Sequence, residues 1–162
     1  MSLFAELSGA KFSDCKKYRF ELWRLWDEAR APALFVMLNP STADEIDNDP
    51  TVERCQRRAF GMGYGGVRVA NIFALRSTDP QALYSEDDPI GAGNDEAIVK
   101  AAKKAGIVIC AWGTHGNYLG RGKHVLALLY GAGVQPYCLQ LNADGTPKHP
   151  LYVKYDVQPV PM

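Results

Sequence analysis

The chain has 162 residues, a length that favours one domain (1–162) with one adequate core. Lys+Arg and Asp+Glu both number 18, so the net charge is zero, which argues against strong non-specific nucleic-acid binding driven by phosphate neutralisation and leaves only a local basic patch open. Hydrophobic residues make up 47%, yet no apolar run approaches the roughly 18–20 residues that cross a bilayer, and no basic-then-apolar leader opens the sequence, so a cytoplasmic protein without membrane contact is expected.

Residues 1–14 read as a mixed lead-in. Residues 17–26 set Tyr18, Phe20 and Leu22 against Arg19 and Glu21. Aromatic content and partial alternation predict an antiparallel edge strand, with a helix as the competing reading. Pro32 then opens a wholly apolar run, 34–38, the pattern of a strand buried on both faces. The run ends in Asn39, Pro40, Ser41 and Thr42, followed by an acidic segment with Asp44, Asp47 and Asp49. Asp49 caps a helix that begins at Pro50 and has Glu53 in its first turn. Its apolar side carries Val52, Cys55 and Ala59; Arg54, Arg57 and Arg58 fall on another side. Glycines 61–66 end it.

A second strand covers 67–74, with 67–72 as its core. A long polar loop, 75–89, carries Arg76, Ser77, Thr78 and Asp79, and loops of that length in small domains are usually functional or mobile. A charged, alanine-rich helix runs over 94–105. The third buried strand, 107–112, leads into the glycine-rich Trp112, Gly113, Thr114, His115, Gly116 and on to Gly120. A helix over 121–130 and a fourth strand within 134–141 follow, with Pro136 at an entry position. Residues 142–152 close the pattern, and a tail with Pro159 and Pro161 is expected to fray. The strand–helix alternation predicts parallel pairing among 34–38, 67–72, 107–111 and 137–141, in an α/β/α arrangement with an added N-terminal antiparallel strand. The loops after the strands then gather on one edge of the sheet, where open parallel sheets bind ligands.

Each polar cluster has two readings. Asn39, Pro40, Ser41 and Thr42 either surround a bound polar group or water, or form an Asx or Ser/Thr turn. Asp44 and Asp49 either supply a general base or serve a turn and a cap. The acidic spacing matches no calcium loop, so no metal is expected. The four cysteines (15, 55, 110, 138) are widely separated, without a Cys-x-x-Cys or Cys/His cluster, which removes a zinc site. Cys110 and Cys138 read as reduced core residues. The loop with Gly113 and His115 either presents backbone N–H groups to an anion or is a flexible turn; it is neither a dinucleotide fingerprint nor a Walker A sequence. Arg121, Lys123, His124, Lys148, His149, Arg76 and the arginines of the first helix either form a phosphate-binding edge or are surface charge. No Gly-x-Ser-x-Gly occurs, and no cofactor is indicated.

Leu38-Asn-Pro-Ser-Thr-Ala-Asp44, Asp49-Pro-Thr51, Gly63-Tyr-Gly-Gly66, Asn71-Ile-Phe-Ala74, Thr78-Asp-Pro80, Gly93-Asn-Asp95, Ala111-Trp-Gly113 and His149-Pro-Leu-Tyr152 resemble the bacterial and phage domain-of-unknown-function family numbered 1643, over most of the chain. That family implies no established activity. More distantly, Leu38-Asn39-Pro40 and His149-Pro150-Leu151 resemble the two motifs of the uracil-DNA glycosylase superfamily. That resemblance implies a three-layer α/β/α fold, with Asn39 positioning water and His149 contacting a base. Ser41 and Leu151 depart from the glycine and serine of those motifs.

Three functions are therefore expected in order. The first is a nucleotide- or nucleobase-directed hydrolase in which Asn39 orients water, an acid (Asp44 first, then Asp49) activates it, and His149 contacts the ligand or the developing charge. Pro40, Ser41, Thr42, Arg76, Trp112, Gly113, His115, Arg121 and Lys148 would bind the ligand. The second is a nucleotide- or phosphate-binding module without catalysis. The third is a partner-binding protein whose polar loops only satisfy turns.

Overall fold

The computed structural model describes residues 7–162. A seven-stranded sheet forms the centre, in the order β1-β2-β4-β3-β5-β6-β7. The strands are β1 (Ser8–Phe12), β2 (Arg19–Leu25), β3 (Ala33–Met37), β4 (Gly66–Asn71), β5 (Ile107–Cys110), β6 (Pro136–Cys138) and β7 (Val160–Pro161). The four central strands are parallel: β3 pairs with β4 and β5, and β5 pairs with β6. β2 joins β4 antiparallel, β1 joins β2, and β7 joins β6. All five residues of β3 are buried, as expected of a strand covered on both faces.

Three α-helices make the connections: α1 (Pro50–Gly61), α2 (Asn94–Lys104) and α3 (Arg121–Gly131). Alternating side chains of β3 feed two cores. Phe35 and Met37 pack with Val52, Cys55 and Ala59 of α1. Leu34 and Val36 pack with Ile98, Ala101, Val125 and Leu129 of α2 and α3. Burying each such Val, Leu or Ile contributes about 1.5–3 kcal/mol. The chain moves from β3 outward to β4 over α1. It then crosses β3 over α2 to reach β5 on the other side. That reversal opens a crevice at the carboxyl ends of the central strands.

Several details differ from the sequence reading. β2 is not an edge strand, because β1, from the described part of the lead-in (residues 1–6 lie outside it), pairs along its outer side. The alternation predicted Arg19 outward, yet Arg19 is only 2% exposed. Arg58 is also buried; its Nη2 donates to the carbonyls of Val153 and Lys154 at 2.6 and 2.8 Å. The tail is held rather than frayed: Val160 pairs with Cys138, and the Tyr130 hydroxyl donates to the Met162 carbonyl at 2.6 Å. The fourth parallel strand covers only 136–138.

Candidate functional site

Asn39 follows β3 after a bend at Leu38. Its Nδ2 donates to the carbonyls of Pro40, Leu75 and Ser77, at 3.3, 3.4 and 3.0 Å. A flipped amide would set its oxygen against three carbonyls, so the assignment is fixed by chemistry. Oδ1 is the atom not committed to these carbonyls. The side chain thus clips the loop after β3 to the loop after β4.

Asp49 sits at the N-cap of α1. Its Oδ1 accepts the Val52 N–H at 2.9 Å, and its Oδ2 accepts the Ala43 N–H at 3.3 Å. Pro50 follows at the first helical position, where no N–H is needed. Each carboxylate oxygen keeps a lone-pair direction beyond its backbone partner.

His149 lies after β6 and caps a short 3₁₀ turn, Pro150–Tyr152. Its Nδ1 accepts the Leu151 N–H at 3.2 Å, which leaves the proton of the neutral ring on Nε2. Burial pushes its pKa below the ordinary imidazole value, against the opposing charge of Asp49. The segment before it folds back on itself: Asn142 N–H donates to Thr146 O, and Lys148 N–H donates to Gln140 O, both at 2.8 Å. Gly113 N–H donates to Pro147 O, also at 2.8 Å, joining this segment to the loop after β5. Gly113 adopts φ +77°, a conformation that favours glycine. Beside it, Trp112 is 3% exposed, seated on Gly116 and Gly122.

These pieces enclose one cleft of about 550 Å³, a size suited to a small organic ligand. Asn39, Asp49 and His149 line it, and so do Pro40, Ser41 and Lys148. Trp112, Gly113 and His115 form another part of the wall. His115 is braced by the Tyr84 hydroxyl, 2.8 Å from its Nδ1.

Thr42, Asp44, Arg76 and Arg121 lie outside the lining. The Asp44 carboxylate accepts the N–H groups of Asp47 and Ile46, at 2.7 and 2.9 Å, which hold it below the usual carboxylate range. It is a turn former, so the acid in the cleft is Asp49. Arg76 stacks over the Phe12 ring at 4.7 Å and donates to Lys16 O. Arg121, 3% exposed, donates to Ile72 O and pairs with Asp95 at 2.8 Å. The arginines of α1 do not form a phosphate edge either: Arg54 and Arg58 donate to tail carbonyls, and with Arg57 they surround the Tyr155 ring.

The sequence reading missed Arg19 and Asn71. Both line the cleft and both are buried. Arg19 Nη1 donates to Ala43 O at 3.0 Å, and Nη2 reaches Asn71 Oδ1 at 3.5 Å. Burial pulls its pKa down to about 10, opposed by the charge of Asp49. Asn71 did carry a signal: it ends β4 much as Asn39 follows β3. Among the described residues no group of three or more His, Cys, Asp or Glu is placed to hold a metal, and no helix is long and apolar enough to cross a membrane.

The fold and cleft define a mixed α/β protein with a cleft at the carboxyl ends of its parallel strands. A family model described as a protein of unknown function (DUF1643) matches residues 19–151, and the chain belongs to that family. The matched segment begins at Arg19 and ends at Leu151, two residues of the cleft wall. No curated protein and no solved structure matches the chain.

Proposed function

We propose that the cleft is the active site of a nucleotide- or nucleobase-directed hydrolase. The observation that carries this reading is the lining of one cleft by Asn39, Asp49 and His149, three groups of complementary chemistry. Helices on both sheet faces suit a three-layer α/β/α sandwich of the uracil-DNA glycosylase kind, to which the Asn39-Pro40 and His149-Pro150 segments bear a resemblance.

For an N-glycosidic bond the roles follow from donors and acceptors. Asn39 Oδ1 accepts a hydrogen bond from water and aims it at the sugar carbon. Asp49 stabilises the positive charge that develops there and accepts the proton of the attacking water. The bond to the base breaks with its electron pair going to the base, and His149 Nε2–H donates a hydrogen bond to the base carbonyl as that charge grows. A neutral His149 is suited to this near pH 7, because it donates without needing to titrate.

A second reading is favoured by the two backbone bonds to Asp49, which suit a cap more than a mobile base. On it, the same cleft binds a nucleotide without turnover. One experiment separates the two. Nucleosides, 5′-nucleotides and uracil-containing oligonucleotides are incubated with the protein; calorimetry records binding and chromatography records free base. Base release that Asn39→Ala abolishes supports the hydrolase. Binding without release supports the module. Neither, across the panel, ends both.

A further inference from the structure

Arg19 is a buried, charged group of the cleft wall that neither reading uses. It is 2% exposed and lines the cleft together with the buried Met37, Val52 and Val69. Other buried or half-buried arginines have clear partners: Arg68 pairs with Glu21 at 2.7 Å, and Arg121 with Asp95 at 2.8 Å. Arg24 is wrapped by the carbonyls of Trp23, Asp44 and Asp47 and by Asn48. Arg19 has fewer partners than Arg24, and, as for Arg24 and Arg58, no carboxylate among the described residues lies within ion-pair distance of it. Its Nε, like those of Arg58, Arg68 and Arg76, has no hydrogen-bond partner, and of its two guanidinium hydrogen bonds the one to Asn71 is long. Asp49 acts on it only through space.

A guanidinium out of water with few partners is costly, and an incoming oxyanion offsets that cost through short, charge-assisted bonds. Lys148 adds a further cationic donor from the wall formed after β6. The donor set therefore exceeds what an uncharged heterocycle needs.

We propose that the part of the cleft at Arg19 and Asn71 is an oxyanion subsite that takes the phosphate of the ligand. This deepens the nucleotide reading by naming phosphate esters over free nucleosides and bases as the ligands, and it rests on that reading only for the nucleobase part.

The test uses the full chain with inorganic phosphate as the first probe, against potassium chloride at matched ionic strength. Phosphate raises the melting temperature of the wild type. Arg19→Met abolishes that rise. Asn71→Asp is the isosteric control for folding: it sets a carboxylate beside Arg19, so it raises the melting temperature without phosphate and abolishes the response to phosphate. A second probe compares a 5′-nucleoside monophosphate with its nucleoside. The monophosphate binds the wild type about tenfold tighter or more, the scale of one hydrogen-bonded charge pair, and Asn71→Asp brings the ratio near one. A phosphate response without any nucleoside or nucleotide binding supports the subsite and ends the nucleotide reading. No phosphate response in the wild type, or an unchanged response in Asn71→Asp, overturns the subsite.

Discussion

His149 accepts the backbone N–H of Leu151 at Nδ1, 3.2 Å away. This one bond fixes the tautomer and keeps the ring neutral, since a protonated Nδ1 could not accept it. Burial also lowers the His149 pKa, with Asp49 working the other way. The unfolded chain therefore binds its proton at higher pH than the folded one. The contribution to stability is complete above about pH 6.5, the ordinary value, and is lost as pH falls from there toward the lowered folded pKa. A proton NMR titration should place the His149 midpoint below those of freely solvated histidines. His149→Gln should flatten the fall in stability over the same window. A midpoint at or above the ordinary value would contradict the assigned tautomer.

Asn39 has a structural duty whatever its chemistry. Its three carbonyl contacts join the loops after β3 and β4. Asn39→Ala should cost about 1 kcal/mol, the net worth of a typical hydrogen bond. Asn39→Asp should cost more, because it sets an acceptor against three acceptors. Urea denaturation measures both. An aspartate variant as stable as wild type would mean the amide is turned the other way.

Trp112 depends on having nothing beneath it. A Cβ at Gly116 would stand 2.1 Å from Trp112 Cδ1, and one at Gly122 would stand 2.7 Å from Nε1. Gly116→Ala should therefore displace the indole and destabilise the fold by about 1–3 kcal/mol, the usual cost of overpacking. It should also shift the Trp112 fluorescence and weaken any cleft ligand. Unchanged fluorescence and stability would show that the indole has room to move.

The thiols should separate into one and three. Cys15 is exposed, and the Ser13 hydroxyl beside it, 3.5 Å away, holds its pKa below the ordinary thiol value. Cys55, Cys110 and Cys138 are buried, and burial pushes their pKa values up. A thiol reagent at neutral pH should modify Cys15 rapidly in the native protein and the other three only after denaturation. Rapid modification of Cys110 and Cys138 would place β5 or β6 closer to solvent than described.

The central strands were legible because residues 34–38, 67–72 and 107–111 are apolar runs bounded by turn residues, and helix-length connections force them parallel. That topology also brings the loop after β3 and the loop after β6 to one end of the sheet, so Asn39 and His149 were candidates for one cleft. Edge strands were harder. β7 is two residues long and exists through its pairing with β6, a long-range event without local pattern. The buried arginines were hardest. Arg19 and Arg58 are buried because particular carbonyls, Ala43 O, Val153 O and Lys154 O, are delivered to them by distant chain. Alternation treats every arginine as a solvent-facing group and has no means of registering such acceptors. The sequence also put Asp44 ahead of Asp49 as the base, because Asp49 reads as a helix cap; Asp49 is that cap and lines the cleft as well, while Asp44 only forms a turn.

The cleft draws on residues from Arg19 to Tyr152. During synthesis Arg19, Asn39 and Asp49 leave the ribosome long before Lys148 and His149 do. A nascent chain therefore carries only one side of the cleft for most of translation. A ligand can stabilise the finished molecule by mass action, but it has nothing complete to bind on the growing one. If the cleft binds the ligand proposed above, that ligand acts on the stability of the finished chain and not on its co-translational folding.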